Sequence, residues 1–218
     1  MIYIFLGAPG SGKGTQSKML QKHLGIVSIS TGDALRSEIL NKSEIGIKAK
    51  SFMDSGMLVP DDVVIDIIKS KIKNVEYEKG FILDGFPRTE GQAKVLDNLI
   101  KSLDKKIDKV FNFEVSDDVL IKRISGRFSC KKCGALYNHY FKTPNVKGVC
   151  DDCNSTEFES RLDDNEQTVK QRLEVYRQTS LPLIEFYKKK NLIVSLDASK
   201  ISSLIFENLI SSIKNNKQ

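Results

Sequence analysis

Apolar residues in this chain gather in short runs separated by longer stretches with helical spacing. Ile2 to Leu6, Phe81 to Leu83, Val110 to Val115 and Leu192 to Leu196 each read as a strand, with a shorter fifth at Val27 to Ile29. Near-continuous runs of this length, bounded by turn residues, belong to the interior of a parallel sheet. Between them, paired positions recur four apart, as at Met19/His23 and Leu20/Leu24. Helix starts are marked by Asp61-Asp62 ahead of Val63-Val64 and by Ser116-Asp117-Asp118 ahead of Val119-Leu120. Alternating strands and helices predict a three-layer α/β fold around a central parallel sheet of about five strands.

Two stretches interrupt the alternation. Residues 31–59 read as helices with no strand of their own, and residues 127–164 hold all four cysteines, two glycines, a proline and several aromatics. Both fall where the loops after parallel strands gather, at the ligand edge of such a sheet. The expected partition is therefore a core of 1–30, 60–126 and 165–218 carrying two insertions. An excursion as long as 127–164 needs a function or a stabilising element of its own.

Bulk numbers narrow the class. A chain of 218 residues has room for one substantial core plus small insertions. Its 40% hydrophobic and 28% charged residues are those of an ordinary globular protein. No apolar stretch is long enough for a membrane span, and Met1 to Leu6 is too short and lacks the basic flank of a signal peptide. The expected setting is a reducing cytoplasm, where cysteines serve as metal ligands more often than as disulfides. Net charge is +6 with a pI near 9.0, but the lysines fall in scattered groups such as Lys69 to Lys73 and Lys188 to Lys190, which read as solvated helix faces. Low complexity enters only with the polar tail from Lys214 to Gln218.

The strongest chemical signal follows the first strand. Gly7-Ala8-Pro9-Gly10-Ser11-Gly12-Lys13-Gly14-Thr15 is a glycine turn, a lysine and then a helix. Backbone N–H groups and the positive end of the helix converge in such a turn, and Lys13 adds a full charge, so the segment is built to cradle phosphate. It fits a P-loop NTPase-type fold, with Gly14 where the pattern has Ser or Thr and Thr15 one place later.

Cys130-x2-Cys133 and Cys150-x2-Cys153 are 16 residues apart, the spacing of a four-cysteine zinc site. With four thiolates no coordination position is left for water, so the reading is a structural Zn²⁺. His139 lies between the pairs and reads as a surface residue.

A third group surrounds the strand Phe81 to Leu83. Asp84 at its C-terminal end is placed to organise a hydrated Mg²⁺, and Gly85-Phe86-Pro87 turns the chain so that Arg88 projects at the ligand edge. Thr31 to Arg36 reads as a helix opening with Arg36 one turn in. Arg123 and Arg127, four apart, read as the end of the helix begun near Ser116. Arg161 precedes Asp163-Asp164, and Arg172 lies on the helix after them. Guanidinium groups at loop ends suit phosphorylated ligands, which they bind as bidentate forks.

In this order and at these separations the motifs resemble those of the adenylate kinases, of the zinc-containing, long-lid bacterial type within the nucleoside monophosphate kinase family. The resemblance runs from Met1 to about Lys200 and rests on Gly7 to Thr15, Ser30 to Asp33, Leu83 to Thr89, Gly126-Arg127 with the cysteines, and Arg161 to Arg172. It implies Mg²⁺-dependent phosphoryl transfer from ATP to AMP by a cytoplasmic monomer. Gly10, Ser11, Gly12, Lys13, Gly14 and Thr15 would hold the ATP phosphates, with Arg123 and Arg127 beside them. Leu136-Tyr137 would cover the adenine, and the backbone of Lys200 would meet it. Thr31, Arg36, the backbone of Met57-Leu58-Val59, Gly85, Phe86, Pro87, Arg88 and Gln92 would hold AMP. Arg161 and Arg172 would clamp phosphates on closure, helped by Asp163 and Asp164. Residues 31–59 become an AMP-binding flap and 127–164 a zinc-bearing lid; lid closure is itself a standard example drawn from adenylate kinases, so it belongs to the resemblance. Some relatives carry Asp at the last ligand position, where this chain has Cys153.

Two other readings use the same residues. A different monophosphate kinase would take UMP or CMP as acceptor or GTP as donor; Thr31 and Gln92 favour AMP. A zinc-ribbon nucleic-acid binder switched by ATP would use the insert and the +6 charge, but it leaves the Asp84 to Thr89 motif without a task, and the insert shows no clear basic and aromatic stripe.

Overall fold

The computed structural model describes residues 1–74 and 77–214; the polar tail beyond Lys214 lies outside them. A five-stranded parallel sheet runs through the molecule in the order β2 (Val27–Ser30), β3 (Phe81–Asp84), β1 (Ile2–Gly7), β4 (Lys109–Glu114), β8 (Ile193–Asp197). All five expected strands are present within a residue or two of their apolar runs.

Strand alternation sends side chains into two separate layers. Ile2, Ile4 and Leu6 enter one cluster with Phe81, Leu83 and Val110, covered by α4 (Asp61–Ile72), α5 (Glu90–Ser102) and α8 (Pro182–Lys188). Tyr3 and Phe5 enter the other with Ile82, Phe111 and Phe113, covered by α1 (Lys13–Leu24) and α9 (Ser202–Lys214). Because both faces are buried, the strand runs are almost unbroken in hydrophobicity. That is why they were legible.

Residues 31–59 form α2 (Thr31–Leu40) and α3 (Glu44–Asp54), which lead into α4. Ser30 and Ser43 cap them, accepting hydrogen bonds from Asp33 N and Gly46 N. Past β4, α6 (Asp117–Ser125) ends at Gly126, so Arg127 does not lie on that helix with Arg123 as expected; it opens β5 (Arg127–Cys130). The reason is packing. A Cβ at Gly126 would meet Tyr140 at 2.7 Å and Asn138 Oδ1 at 2.9 Å, so only glycine fits there, and Asn138 Nδ2 donates at 2.8 Å to the Arg123 carbonyl that a helical Arg127 N–H would use.

β5 is the middle strand of a small antiparallel sheet with β6 (Leu136–Asn138) and β7 (Phe158–Glu159). A 3₁₀ turn at Leu162–Asp164 then leads into α7 (Glu166–Val175) and a π turn, Tyr176–Ser180, ahead of α8. Among the described residues no helix is long and apolar enough to cross a membrane.

Candidate functional site

The glycine loop joins β1 to α1 at the C-terminal edge of the sheet. Gly7 has φ +146°, and a Cβ there would lie 2.7 Å from Ser11 Oγ and 2.9 Å from the Phe113 carbonyl, so the loop closes only on glycine. Inside it Lys13 Nζ donates to Gly7 O at 2.7 Å, Ala8 O at 2.8 Å and Ser11 Oγ at 3.3 Å. Burial lowers the Lys13 pKa to about 8, against the opposing pull of Asp84. Asp84 sits one strand over, in register with Phe5. Burial raises its pKa while Lys13 holds it down. Its carboxylate is 3.5 Å from where a Cβ on Gly14 would stand, so the missing Ser or Thr leaves Asp84 room against the first turn of α1.

Beside this loop lies a narrow cleft, with about 60 Å³ open to water, between α2, α3 and the β3–α5 loop. Leu35, Met53, Met57, Leu58 and Val59 supply an apolar wall, and Arg36, Arg88 and Arg172 supply its cationic end. Thr31 Oγ1 donates to Gly85 O at 2.8 Å, and Arg88 Nε donates to the same carbonyl at 2.8 Å. Phe86 is buried in the core below, so it shapes the turn rather than facing the cleft. Gln92, in the first turn of α5, is 1% exposed yet lines the cleft.

The arginines crowd one another. Burial first, and Arg172 next, pull the Arg88 pKa down to about 10; burial and then Arg127 and Arg36 do the same to Arg161. Acids hold several of them. Arg127 makes a two-pronged bond to Asp164 at 2.8 and 2.5 Å, Arg172 reaches Asp163 at 2.9 Å and Asp164 at 3.3 Å, and Asp33 meets Arg36 at 2.5 Å and Arg161 at 3.4 Å. Arg123 stands apart: it donates to Ala198 O at 2.8 Å and lies 5.7 Å from the Phe141 ring. That ties it to the segment following β8, which is also held to α1 by Gln16 Nε2 donating to Ser202 O at 2.9 Å. Phe141 and Gln16 were not singled out from the sequence, where nothing distinguishes them from a surface aromatic and a helix glutamine; Asp33 entered only as part of the Ser30 to Asp33 motif, with no role of its own.

The cysteines converge. Their Sγ atoms all lie within 4.8 Å of one another, with Cys130–Cys153 at 3.6 Å and Cys133–Cys150 at 3.5 Å. These separations exclude disulfides and match the edge of about 3.8 Å that four thiolates bound at about 2.3 Å make around a tetrahedral ion. The donor set therefore fits Zn²⁺. Tyr137 OH donates to Cys150 Sγ at 3.5 Å and accepts from Asp151 N at 2.7 Å. The first of these bonds draws the Cys150 pKa down to about 6, toward the thiolate a metal takes. The Tyr137 ring is buried against Phe128 and Phe158. It is not free to cover a base as the sequence reading had it; only its main chain and Leu136, on the opposite face of β6, remain for that. His139 is exposed, stacked on Phe128 at 4.6 Å, and outside the sulfur cluster.

A family model described as adenylate kinase matches residues 5–192 of the 218. The chain belongs to the adenylate kinase family. It is 50% identical over 194 residues to an adenylate kinase of Caldicellulosiruptor bescii, covering 89% of this chain and 90% of that protein. It is 45% identical over 209 residues to one of Enterococcus faecalis, covering 96% and 97%, and 48% identical over 200 residues to one of Archaeoglobus fulgidus, covering 92% of each. Membership of the adenylate kinase family makes the chain a nucleoside monophosphate kinase, an enzyme class whose chemistry needs two phosphate-bearing ligands side by side.

Proposed function

We propose that the chain catalyses the reversible transfer of the terminal phosphoryl group of MgATP to AMP, giving two ADP. The observation that carries this is the convergence of Lys13, Arg36, Arg88, Arg127, Arg161 and Arg172 around the space between the glycine loop and the cleft, where burial and then the neighbouring cations lower the pKa values of Lys13, Arg88, Arg161 and Arg172. Such crowding is unfavourable on its own. ATP and AMP together bring about six negative charges, which relieve it.

No protein nucleophile is needed, since an AMP phosphate oxygen attacks in line and the protein supplies position and charge. In this reading Gly10 to Thr15 hold the ATP phosphates, Lys13 takes the transferring group, and Arg123 and Arg127 lie along the donor, with Leu136, the Tyr137 main chain and the Lys200 main chain at its base. Thr31, the backbone of Met57 to Val59, Gly85 and Gln92 enclose AMP, with Phe86 and Pro87 shaping the turn beneath it, and its phosphate meets Arg36 and Arg88. Asp84 orders the water shell of the Mg²⁺ that accompanies ATP. Arg161 and Arg172 bridge the two ligands, exchanging Asp33, Asp163 and Asp164 for phosphate as residues 127–164 close as a lid and 31–59 as a flap. Closure excludes water, which would otherwise take the phosphoryl group. Cys130, Cys133, Cys150 and Cys153 hold a structural Zn²⁺ that pins the lid's strands. The enzyme works as a cytoplasmic monomer on ATP, AMP and ADP, without nucleic acid or membrane.

The test is a coupled assay of MgATP with AMP, run against UMP, CMP and GMP as acceptors and GTP as donor. Turnover with AMP and ATP well above the others is the expected result. Preference for a pyrimidine acceptor or for GTP would replace this reading with another monophosphate kinase.

A further inference from the structure

Asp61, the first residue of α4, carries no task in the scheme above beyond starting a helix, yet its carboxylate is fully engaged. Oδ1 accepts from Gln92 Nε2 at 2.6 Å and Oδ2 accepts from Thr89 Oγ1 at 2.8 Å. Thr89 Oγ1 in turn accepts from Gln92 N at 3.1 Å, closing a ring that ties the start of α4 to the start of α5. Gln92 Oε1 accepts from the main-chain N of Arg88 at 2.7 Å.

The two ends of the Gln92 amide thus face partners of opposite character. Turning the amide over would set its oxygen against a carboxylate and its NH₂ against an N–H, and both contacts would turn repulsive. Once these bonds are made, the amide keeps one N–H and one oxygen lone pair, on a side chain that lines the cleft. An acceptor base with a 6-amino donor beside an unprotonated N1 satisfies that pair. A 6-oxo base with a protonated N1 presents the reverse pattern and needs the flipped amide.

We propose that Asp61 is the positioning residue for acceptor choice, locking the Gln92 amide in the orientation that takes a 6-aminopurine and refuses a 6-oxopurine. The inference rests on the proposed reading of the cleft as the acceptor site. An asparagine at this position could offer either an oxygen or an NH₂ to Gln92, so it releases the Asp61 half of the lock and leaves only the Arg88 N–H to favour one orientation. Asp61 acts through Gln92 and does not itself read the base.

The experiment uses the full chain with its metal, comparing the parent with Asp61→Asn. AMP and inosine monophosphate, which differ in the 6-amino/6-oxo edge, are the probes, by calorimetry for Kd and by the coupled assay for KM and kcat. The expected result is an AMP Kd and KM raised about tenfold, kcat within about twofold, an unchanged KM for ATP, and an AMP-over-inosine preference reduced about tenfold. In a Gln92→Leu background, Asp61→Asn should change the preference no further, as required of residues acting in series. An Asp61→Asn preference equal to the parent's, an equal loss for both acceptors, or the same loss of preference in the Gln92→Leu background would each overturn the proposal. If the Asn variant does not fold, Asp61→Ser, which also removes the carboxylate, is read by the same ratio. A parent chain with no AMP turnover would instead sink the proposed function, and a parent that prefers AMP beside an insensitive Asp61 variant would sink this inference alone.

Discussion

The central sheet and the cysteine-bearing segment are stabilised by different means. Each strand of the central sheet feeds apolar side chains into layers built from residues far apart in sequence, with Ile4, Phe5, Phe81, Ile82 and Leu83 fully buried. The sheet of residues 127–164 has strands of two to four residues, and its buried cluster consists of Cys130, Ala135, Tyr137 and Cys150. Meanwhile Tyr140, Phe141 and Val146 stand exposed beside it. Three short strands with so small an apolar face fall below what a sheet needs to stand alone. Two of the four buried residues are candidate metal ligands, so the segment's order depends on what binds its sulfurs. The cations of the candidate site divide along the same line: Lys13, Arg36 and Arg88 lie outside residues 127–164, while Arg127 and Arg161 lie within them.

The largest expected effect tests the core side of that contrast. Lys13→Ala or Arg88→Ala should lower turnover by at least about a hundredfold, since each removes charge where it develops in the transition state. Neither residue belongs to the apolar layers, so the melting temperature should stay close to the parent's. Near-parental turnover in either variant would remove the site assignment.

Next in size is the opposite experiment, on the segment's fold. Cys130→Ser combined with Cys150→Ser should take zinc from one per chain to none, and proteases should then cut between residues 127 and 164 while the core stays resistant. Metal binding in small zinc domains contributes about 10–16 kcal/mol of folding free energy, far more than this cluster can replace. Low-temperature assays should still find residual phosphoryl transfer, because Lys13, Arg36 and Arg88 lie outside the segment. A parent protein purified without zinc would refute the structural metal. A double variant that folds normally but is inactive at every temperature would point to a catalytic one.

The same contrast explains what could be read from the sequence. Strands buried on both faces leave unbroken apolar runs, so β1, β3, β4 and β8 stood out, and β2 stood out less because two of its four residues are serines. β5, β6 and β7 left no such run: their order comes from cysteine geometry and a few aromatics, and only the cysteine spacing was visible. Arg127 was assigned to a helix because Arg123 lies four residues before it; the contact of Asn138 and Tyr140 with Gly126 that ends the helix is tertiary and has no local signature. Tyr137 was expected to cover a base only because the resemblance implies it, and an aromatic beside a knuckle shows no sign that its hydroxyl will go to Cys150. Asp61 looked like a helix-starting acid, and it is one; that its carboxylate also holds Gln92 depends on the α4–α5 packing.

The smallest expected effect is a proton. Burial lowers the Lys13 pKa from 10.5 to about 8 in the ligand-free chain, where Arg88, Arg172 and Arg127 also disfavour its charge. Nucleotide phosphates reverse that balance, so Lys13 should be fully charged in the complex. Binding must then take up a proton once the pH exceeds about 8, and affinity should fall as pH rises from there toward 10.5, by no more than about tenfold per unit for one group. The sign for stability is opposite. The unfolded chain holds this proton up to its ordinary pKa while the folded chain loses it earlier, so this lysine's contribution makes the ligand-free fold more stable, not less, as pH rises through the same window. Calorimetry of MgATP binding in buffers of different ionisation enthalpy measures the uptake directly. The parent minus the Lys13→Ala variant, a difference that cancels the nucleotide's own titration, should be near zero at pH 6.5 and approach one proton at pH 9. Equal uptake by parent and variant at pH 9 would show that Lys13 keeps its ordinary pKa inside the loop, and the crowding argument for the proposed chemistry would lose its central member.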